Sequence, residues 1–193
     1  KAKAFHIQLD RFDAGKSEDV WFDLILEPVY DTSGAIDGVA FFGFDVTGLV
    51  KANQEVKESE NRFSFLADSI SHKVWTSGPD GRATYYNKGW YDYTGKTGFE
   101  ELNKRIWEII HPDDLETAKE LWARTIETGE SLDIEQRFMN TDGEYLWHLT
   151  HVHAHMDDEG KVVMWVGTST NIHEQKMALE ALKKSEEHFK ALS

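Results

Sequence analysis

Apolar and polar positions alternate along several stretches of this chain, and the alternation marks strands. Phe22, Leu24, Leu26 and Pro28 form an apolar row, while Asp23 and Glu27 fall on the other face. A period of two is what a half-buried strand requires. Lys73 to Ser77 and Arg82 to Tyr86 read as two short strands around Pro79-Asp80-Gly81, a turn in which Pro presets φ and Gly admits positive φ. Asn87 stands where it can cap a short helix carrying Trp90 and Tyr91, which Gly95 and Gly98 break. Phe99 to Ile110 reads as short helical turns. His111-Pro112-Asp113-Asp114 then opens a longer helix: Pro suits the first helical position, and carboxylates favour the positive helix N-terminus. Its face is Leu115, Ala118, Trp122 and Ile126, and Gly129 ends it. Leu132 to Asn140 and Tyr145 to Met156 form a hairpin through Thr141-Asp142-Gly143-Glu144. Lys161 to Asn171 returns after Asp157-Asp158-Glu159-Gly160. Two strands, short helices, then three strands predict an α+β layer, one antiparallel sheet with helices on one face.

An internal repeat organises the whole. The stretch from Trp21 to Leu66 matches that from Trp147 to Leu192 without a gap, 126 positions apart throughout. Trp21 pairs with Trp147, Asp31 with Asp157, Gly34 with Gly160, Ser59 with Ser185, Glu60 with Glu186, and Phe63 with Phe189. Each copy is a strand from Trp to an Asp/Gly turn, a second apolar strand, and a polar helix. The chain thus divides into the last three strands of one unit (1–47), a connector helix (48–66), a complete unit (67–172) and a second connector helix (173–193). The sequence from Lys1 already reads as ordered and the end repeats the start of the complete unit, so a longer parent protein is expected.

Composition narrows the function. A net charge of −14 argues against nucleic-acid phosphates and anionic membrane surfaces as partners. The absence of cysteine removes disulfides, thiolate metal sites and Cys nucleophiles. It is compatible with a reducing compartment, and a cytoplasmic setting is expected. No apolar run reaches the roughly 18–20 residues that span a bilayer. No Ser/His/Asp grouping and no glycine-rich phosphate loop stands out, so no catalytic residue is assigned.

The order of elements, His111-Pro112-Asp113-Asp114, Asp142-Gly143-Glu144-Tyr145-Leu146-Trp147, and Trp165-Val166-Gly167-Thr168 running into Asn171-Ile172 together resemble a PAS domain with a C-terminal PAC motif. The resemblance covers Glu60 to Gln175, and 1–47 as the last three strands only. It implies a five-stranded antiparallel sheet cupping a small cavity, and a sensory, non-catalytic role in a multidomain sensor histidine kinase. Asp45-Val46-Thr47 keeps the family's closing motif. Asn171-Ile172-His173 departs from it, which implies a joint to the exit helix without a charged acceptor.

By strand parity and this resemblance, Phe138, His148, Thr150, Val152, Trp165 and Ser169 are the candidates to line a cavity, with Ala154 continuing their row. The same residues suit a solid core, and the sequence leaves both readings open. Three further sites compete. His151, His153 and His155 share one strand face, but same-face Cβ atoms lie roughly 6–7 Å apart in a straight row, a poor cage for a metal. His111 as a haem ligand competes with a capping role. A chromophore bound through Cys is excluded, whereas non-covalent flavin has no residue in its favour. No cofactor is required. Leu49, Val56, Phe63 and Ile70 recur every seven residues, and Leu179, Leu182 and Leu192 follow Asn171 in the second connector. Each connector either packs on its own sheet or pairs in a parallel coil. A homodimer is expected, with an output kinase domain as the in-chain partner and a small molecule as a possible ligand. The alternatives are a ligand-free dimerisation or spacer module and a haem- or metal-binding sensor. Three strands without helices would also leave an apolar face around Phe22, Leu24, Leu26 and Phe44, and a cover for it is expected.

Overall fold

The computed structural model describes residues 2–9 and 17–191; Lys1, Leu192 and Ser193 of the reading above lie outside them. The chain forms two compact units, Lys1–Phe63 and Ser64–Ser193.

The first unit holds a three-stranded antiparallel sheet in the order β1-β2-β3, with β1 at Ala2–Leu9, β2 at Glu18–Tyr30 and β3 at Ile36–Asp45. Helix α1, Thr47–Asp68, leaves this sheet and continues into the second unit. Val20 is buried, while Leu26, Phe41 and Phe44 are exposed in the isolated chain.

The second unit contains a five-stranded antiparallel sheet in the order β5-β4-β8-β7-β6. Its strands are β4 (Lys73–Ser77), β5 (Ala83–Tyr86), β6 (Leu132–Met139), β7 (Tyr145–Met156) and β8 (Val162–Asn171). Between β5 and β6 lie α2 (Lys88–Thr94), α3 (Phe99–Arg105), a 3-10 turn (Ile106–Ile109) and α4 (Pro112–Thr128). Helix α5, His173–Ala191, exits the sheet. The core gathers Tyr86, Trp90, Leu102, Ile109, Ala118 and Phe138. Their aromatic rings meet edge-on, as Trp90 does with Phe138 at 5.4 Å.

Helix α4 shows how the local sequence sets a boundary. Pro112 occupies the first turn, and the His111 side chain accepts a hydrogen bond from the Asp113 N–H at 3.2 Å. Gly129 closes the helix at φ 75°, a left-handed conformation that costs a residue with a Cβ. Asp114 then ties the helix start to β6. Its carboxylate accepts from Arg137 Nε at 2.9 Å, Nη2 at 2.7 Å and the Arg137 backbone N–H at 2.9 Å. This paired geometry holds the Asp114 carboxyl below the ordinary range, chiefly through the Arg137 side chain. Its stabilisation is present above the unfolded value near 4 and fades as pH falls below it. Asp114→Ala is expected to cost about 2–3 kcal/mol, since it exchanges the two-pronged acceptor of a half-buried guanidinium for the exposed Asp113 carboxylate at 3.5 Å. Thermal unfolding at pH 7 measures this.

The structure corrects one capping assignment. Asn87 sits at the N-cap position of α2, but its side chain makes no cap bond. Its Oδ1 accepts from the Val74 N–H at 2.9 Å, and its Nδ2 donates to the Ala67 carbonyl at 2.8 Å and the His72 carbonyl at 3.0 Å. The cap comes from α1 instead: Asp68 Oδ1 accepts from the Lys88 N–H at 2.7 Å. A buried amide that closes three backbone groups across two elements outweighs one local cap.

The repeat recurs as hydrogen bonds. The Asp31 carboxylate accepts from the Ser33 and Ala35 N–H groups, and Asp157 accepts likewise from Glu159 and Lys161. The Val46 N–H donates to the Trp21 carbonyl at 2.8 Å, and the Ile172 N–H donates to the Trp147 carbonyl at 2.9 Å. Asp45 accepts from the Thr47 N–H at 2.9 Å, and Asn171 accepts from the His173 N–H at the same distance. The Asn therefore keeps the joint's geometry and gives up only the charge.

Candidate functional site

The five-stranded sheet and its helices enclose a cavity of about 420 Å³. That is within the range of small-molecule sites, about 300–1,000 Å³. Its walls are largely aromatic: Trp75, Tyr86, Trp90, Trp107, Trp122 and Phe138. Three inward side chains supply polarity. Thr150 Oγ1 lies 2.8 Å from Ser169 Oγ, and Gln136 Nε2 donates to Thr150 Oγ1 at 3.3 Å. Cross-strand register builds this row, since Thr150 faces Ser169 and Gln136 faces His148.

Of the sequence candidates, Phe138, Thr150, Val152 and Ser169 line the cavity. His148 and Trp165 are fully buried but stand outside its lining, as does the half-buried Ala154. Trp165 packs edge-on against the wall residue Trp122 at 5.7 Å, so it supports the wall from behind. His148 packs against Tyr93 at 5.0 Å and Phe138 at 4.9 Å. Parity gave the correct face for both, but it carries no information about depth along the sheet. Several wall residues, Trp75, Trp107 and Gln136 among them, were not singled out. For Trp75 and Trp107 the signal was the large aromatic side chain itself, and Gln136 carried none.

Beside the cavity-lining Ser169 lie two buried basic side chains, Lys73 and His148. Lys73, 6% exposed, pairs across strands with Ser169 and places its Nζ 4.1 Å from the centre of the Tyr93 ring. Burial lowers its pKa from 10.5 to about 8. His148 Nδ1 is 2.8 Å from the Leu146 carbonyl, which accepts from it. Burial first, and the Lys73 charge second, push His148 down to about 4.

The remaining candidates are held elsewhere. His151 Nδ1 lies 2.7 Å from Asp133, and His153 Nδ1 lies 3.1 Å from Ser131. Among the described residues no three His, Asp or Glu side chains gather to hold a metal ion. His111 caps α4, packs on Tyr145 at 4.6 Å and does not line the cavity. Leu49 and Val56 on α1, and Leu179 and Leu182 on α5, are exposed. Among the described residues no helix is long and apolar enough to cross a membrane.

The exit helix is fastened to the outer face of the sheet. Lys176 of α5 pairs with Glu135 at 2.5 Å and lies 4.3 Å from the Trp147 ring centre, and Arg137 lies 5.0 Å from the same ring. Ser169 and Asn171 are two residues apart on β8: the first lines the cavity, the second caps α5.

Comparison with known proteins agrees with this architecture. A family model described as the PAS fold matches residues 83–169. The chain is 30% identical over 197 residues to the peroxide stress-activated histidine kinase mak1 of Schizosaccharomyces pombe, covering 93% of this chain and 12% of that protein. It is 29% identical over 155 residues to the uncharacterized protein y4lL of Sinorhizobium fredii, covering 80% of this chain and 19% of that protein. The chain thus spans a fifth or less of the length of these curated relatives. Among solved structures, a sensory box histidine kinase/response regulator from Burkholderia thailandensis aligns with a TM-score of 0.50 at 22% identity, covering 67% of this chain and 98% of that one. An RNA-binding light-oxygen-voltage receptor aligns with a TM-score of 0.51 at 20% identity, covering 87% of this chain and 44% of that one. The five-stranded unit has the PAS fold, and the family model's match at residues 83–169 lies within it.

Proposed function

We propose that this chain is a non-catalytic sensory segment of a multidomain histidine kinase, which takes a small-molecule signal in the cavity and relays it to the output kinase domain through α5. One observation carries the reading. A cavity-lining side chain, Ser169, and the cap of the exit helix, Asn171, sit on the same strand two residues apart. A shift of β8 on ligand entry displaces the first turn of α5, where the Lys176 N–H donates to the Ile172 carbonyl. Two packed arrangements of such a helix are a physical route for coupling. The similarity to a histidine kinase over nearly the whole chain supports the choice of output.

The exposed apolar residues of α1 and α5 fit a homodimer in which the connectors pair as a short parallel coil. A second copy also covers the exposed apolar residues of the first sheet. A ligand-free spacer is the second reading, favoured by the same exposed seams. Replacing Leu179 and Leu182 together by Gln in the full-length parent separates helix relay from other routes. Autophosphorylation is expected to lose its response to the signal while basal activity persists. A response of unchanged size would reject relay through α5.

A further inference from the structure

Two residues of the cavity wall each carry a buried polar atom without a hydrogen-bond partner in the protein: Nε1 of Trp90 and Oε1 of Gln136. Trp90 is 2% exposed and Gln136 6%. An unpaired buried donor or acceptor is costly, and each case in a folded protein needs a reason. Here the two are complementary in kind. The indole N–H only donates, and the amide oxygen only accepts. The Gln136 amide is oriented by its own bond, because Nε2 donates to Thr150 Oγ1, and Thr150 in turn meets Ser169. That bond leaves the oxygen as the free end.

The charge of the lining narrows the ligand further. The cavity's one charged wall residue is Arg82. Its side chain is 88% exposed and already faces Asp80 at 3.4 Å, so it marks the rim. An ionised ligand would enter without a buried counter-charge on the wall, at a large desolvation cost, because the neighbouring Lys73 stands outside the lining with its Nζ over the Tyr93 ring. Flat indole and phenyl faces from Trp75, Trp107, Trp122 and Phe138 suit a planar partner.

From this we infer that the cavity selects a neutral, planar heteroaromatic molecule with one hydrogen-bond acceptor for Trp90 Nε1 and one N–H donor for Gln136 Oε1. The inference rests on the cavity being the ligand site, as proposed above.

Four probes of nearly one shape test it: 2-quinolinone with donor and acceptor, indole with the donor, quinoline with the acceptor, and naphthalene with neither. Binding to the whole chain is followed by calorimetry at pH 7. We expect 2-quinolinone to bind at least tenfold tighter than naphthalene, with indole and quinoline between. Gln136→Leu is expected to abolish the advantage of indole over naphthalene and to leave that of quinoline. Trp90→Phe is expected to do the reverse. Thermal unfolding of each variant confirms that it is folded, and Gln136→Leu suffices should Trp90→Phe fail to fold. Equal affinity for naphthalene and 2-quinolinone, or a Gln136→Leu variant with undiminished preference for indole, overturns the polar pairing while the cavity reading stands. Failure of all four probes, naphthalene included, overturns both.

Discussion

Gly167→Ala is expected to destabilise the five-stranded unit by about 3 kcal/mol, the upper part of the usual range for overpacking a core. A Cβ at Gly167 would lie 2.1 Å from Cε2 of the Trp75 indole and 2.4 Å from its Cζ2 and Nε1. Gly167 and Trp75 face each other across β8 and β4, so the ring lies where the side chain would stand. The indole also packs edge-on against Trp122 at 5.4 Å, a contact that its retreat would disturb. Relief therefore requires β4 to move away from β8 or Trp75 to leave the cavity wall. The loss corresponds to a fall of roughly 10 °C in Tm for a unit of this size. Calorimetric scanning measures it, and a Tm within one or two degrees of the parent would show that Trp75 is not held over β8. The variant also deforms the cavity, so any ligand response is expected to weaken with it.

Lys73→Met is expected to act in the opposite direction and stabilise the protein at pH 7 by about 2 kcal/mol. Lowering a lysine from 10.5 to about 8 by burial corresponds to about 3 kcal/mol against the charged form. The contact of Nζ with the face of Tyr93 returns about 1 kcal/mol of that. Methionine keeps the stem's length and fills the same space without a charge. The pH dependence identifies the cause. Between about pH 8 and 10.5 the unfolded chain binds more protons than the folded one, so the parent gains stability as pH rises through that window. The advantage of Lys73→Met should disappear above it. Acid acts on His148. Its folded value near 4 lies below the unfolded value near 6.5, so the parent loses stability as pH falls from 6.5 to 4. Removing Lys73 removes one of the causes that lower His148, and the acid loss should shrink. Denaturant titrations at pH 5, 7, 9 and 11 test both arms. A variant less stable than the parent at pH 7 would contradict an uncompensated buried cation. That the fold tolerates such a cation beside the Ser169–Thr150 row sets this end of the sheet apart from an ordinary core.

Element order and most boundaries were legible because they rest on local rules. β4 and β7 begin and end at the residues read from the turns around them, and Gly129 stops α4 as expected. The repeat foretold the paired turns at Asp31 and Asp157, because an Asx turn is a property of a few adjacent residues. Long-range partners were not legible. The spacing around Asn87 announced a cap, yet its amide is used by Val74, Ala67 and His72, while Asp68 supplies the cap from α1. Nothing near Gly167 in the chain shows that Trp75 lies on it. The cavity was half legible for the same reason. Strand parity placed Phe138, Thr150, Val152 and Ser169 on the inner face, but could not tell that His148 and Trp165, on that same face, sit behind other side chains. Gln136, next to the expected row, needed the β6–β7 register to be placed.

The most direct test of coupling between cavity and exit helix is amide hydrogen exchange of the whole chain with and without saturating 2-quinolinone. Slower exchange is expected at Thr150 and Ser169, and with it a change at His173 and Lys176 in the first turn of α5. Protection that rises on the cavity strands while α5 exchanges at its original rate would contradict the account.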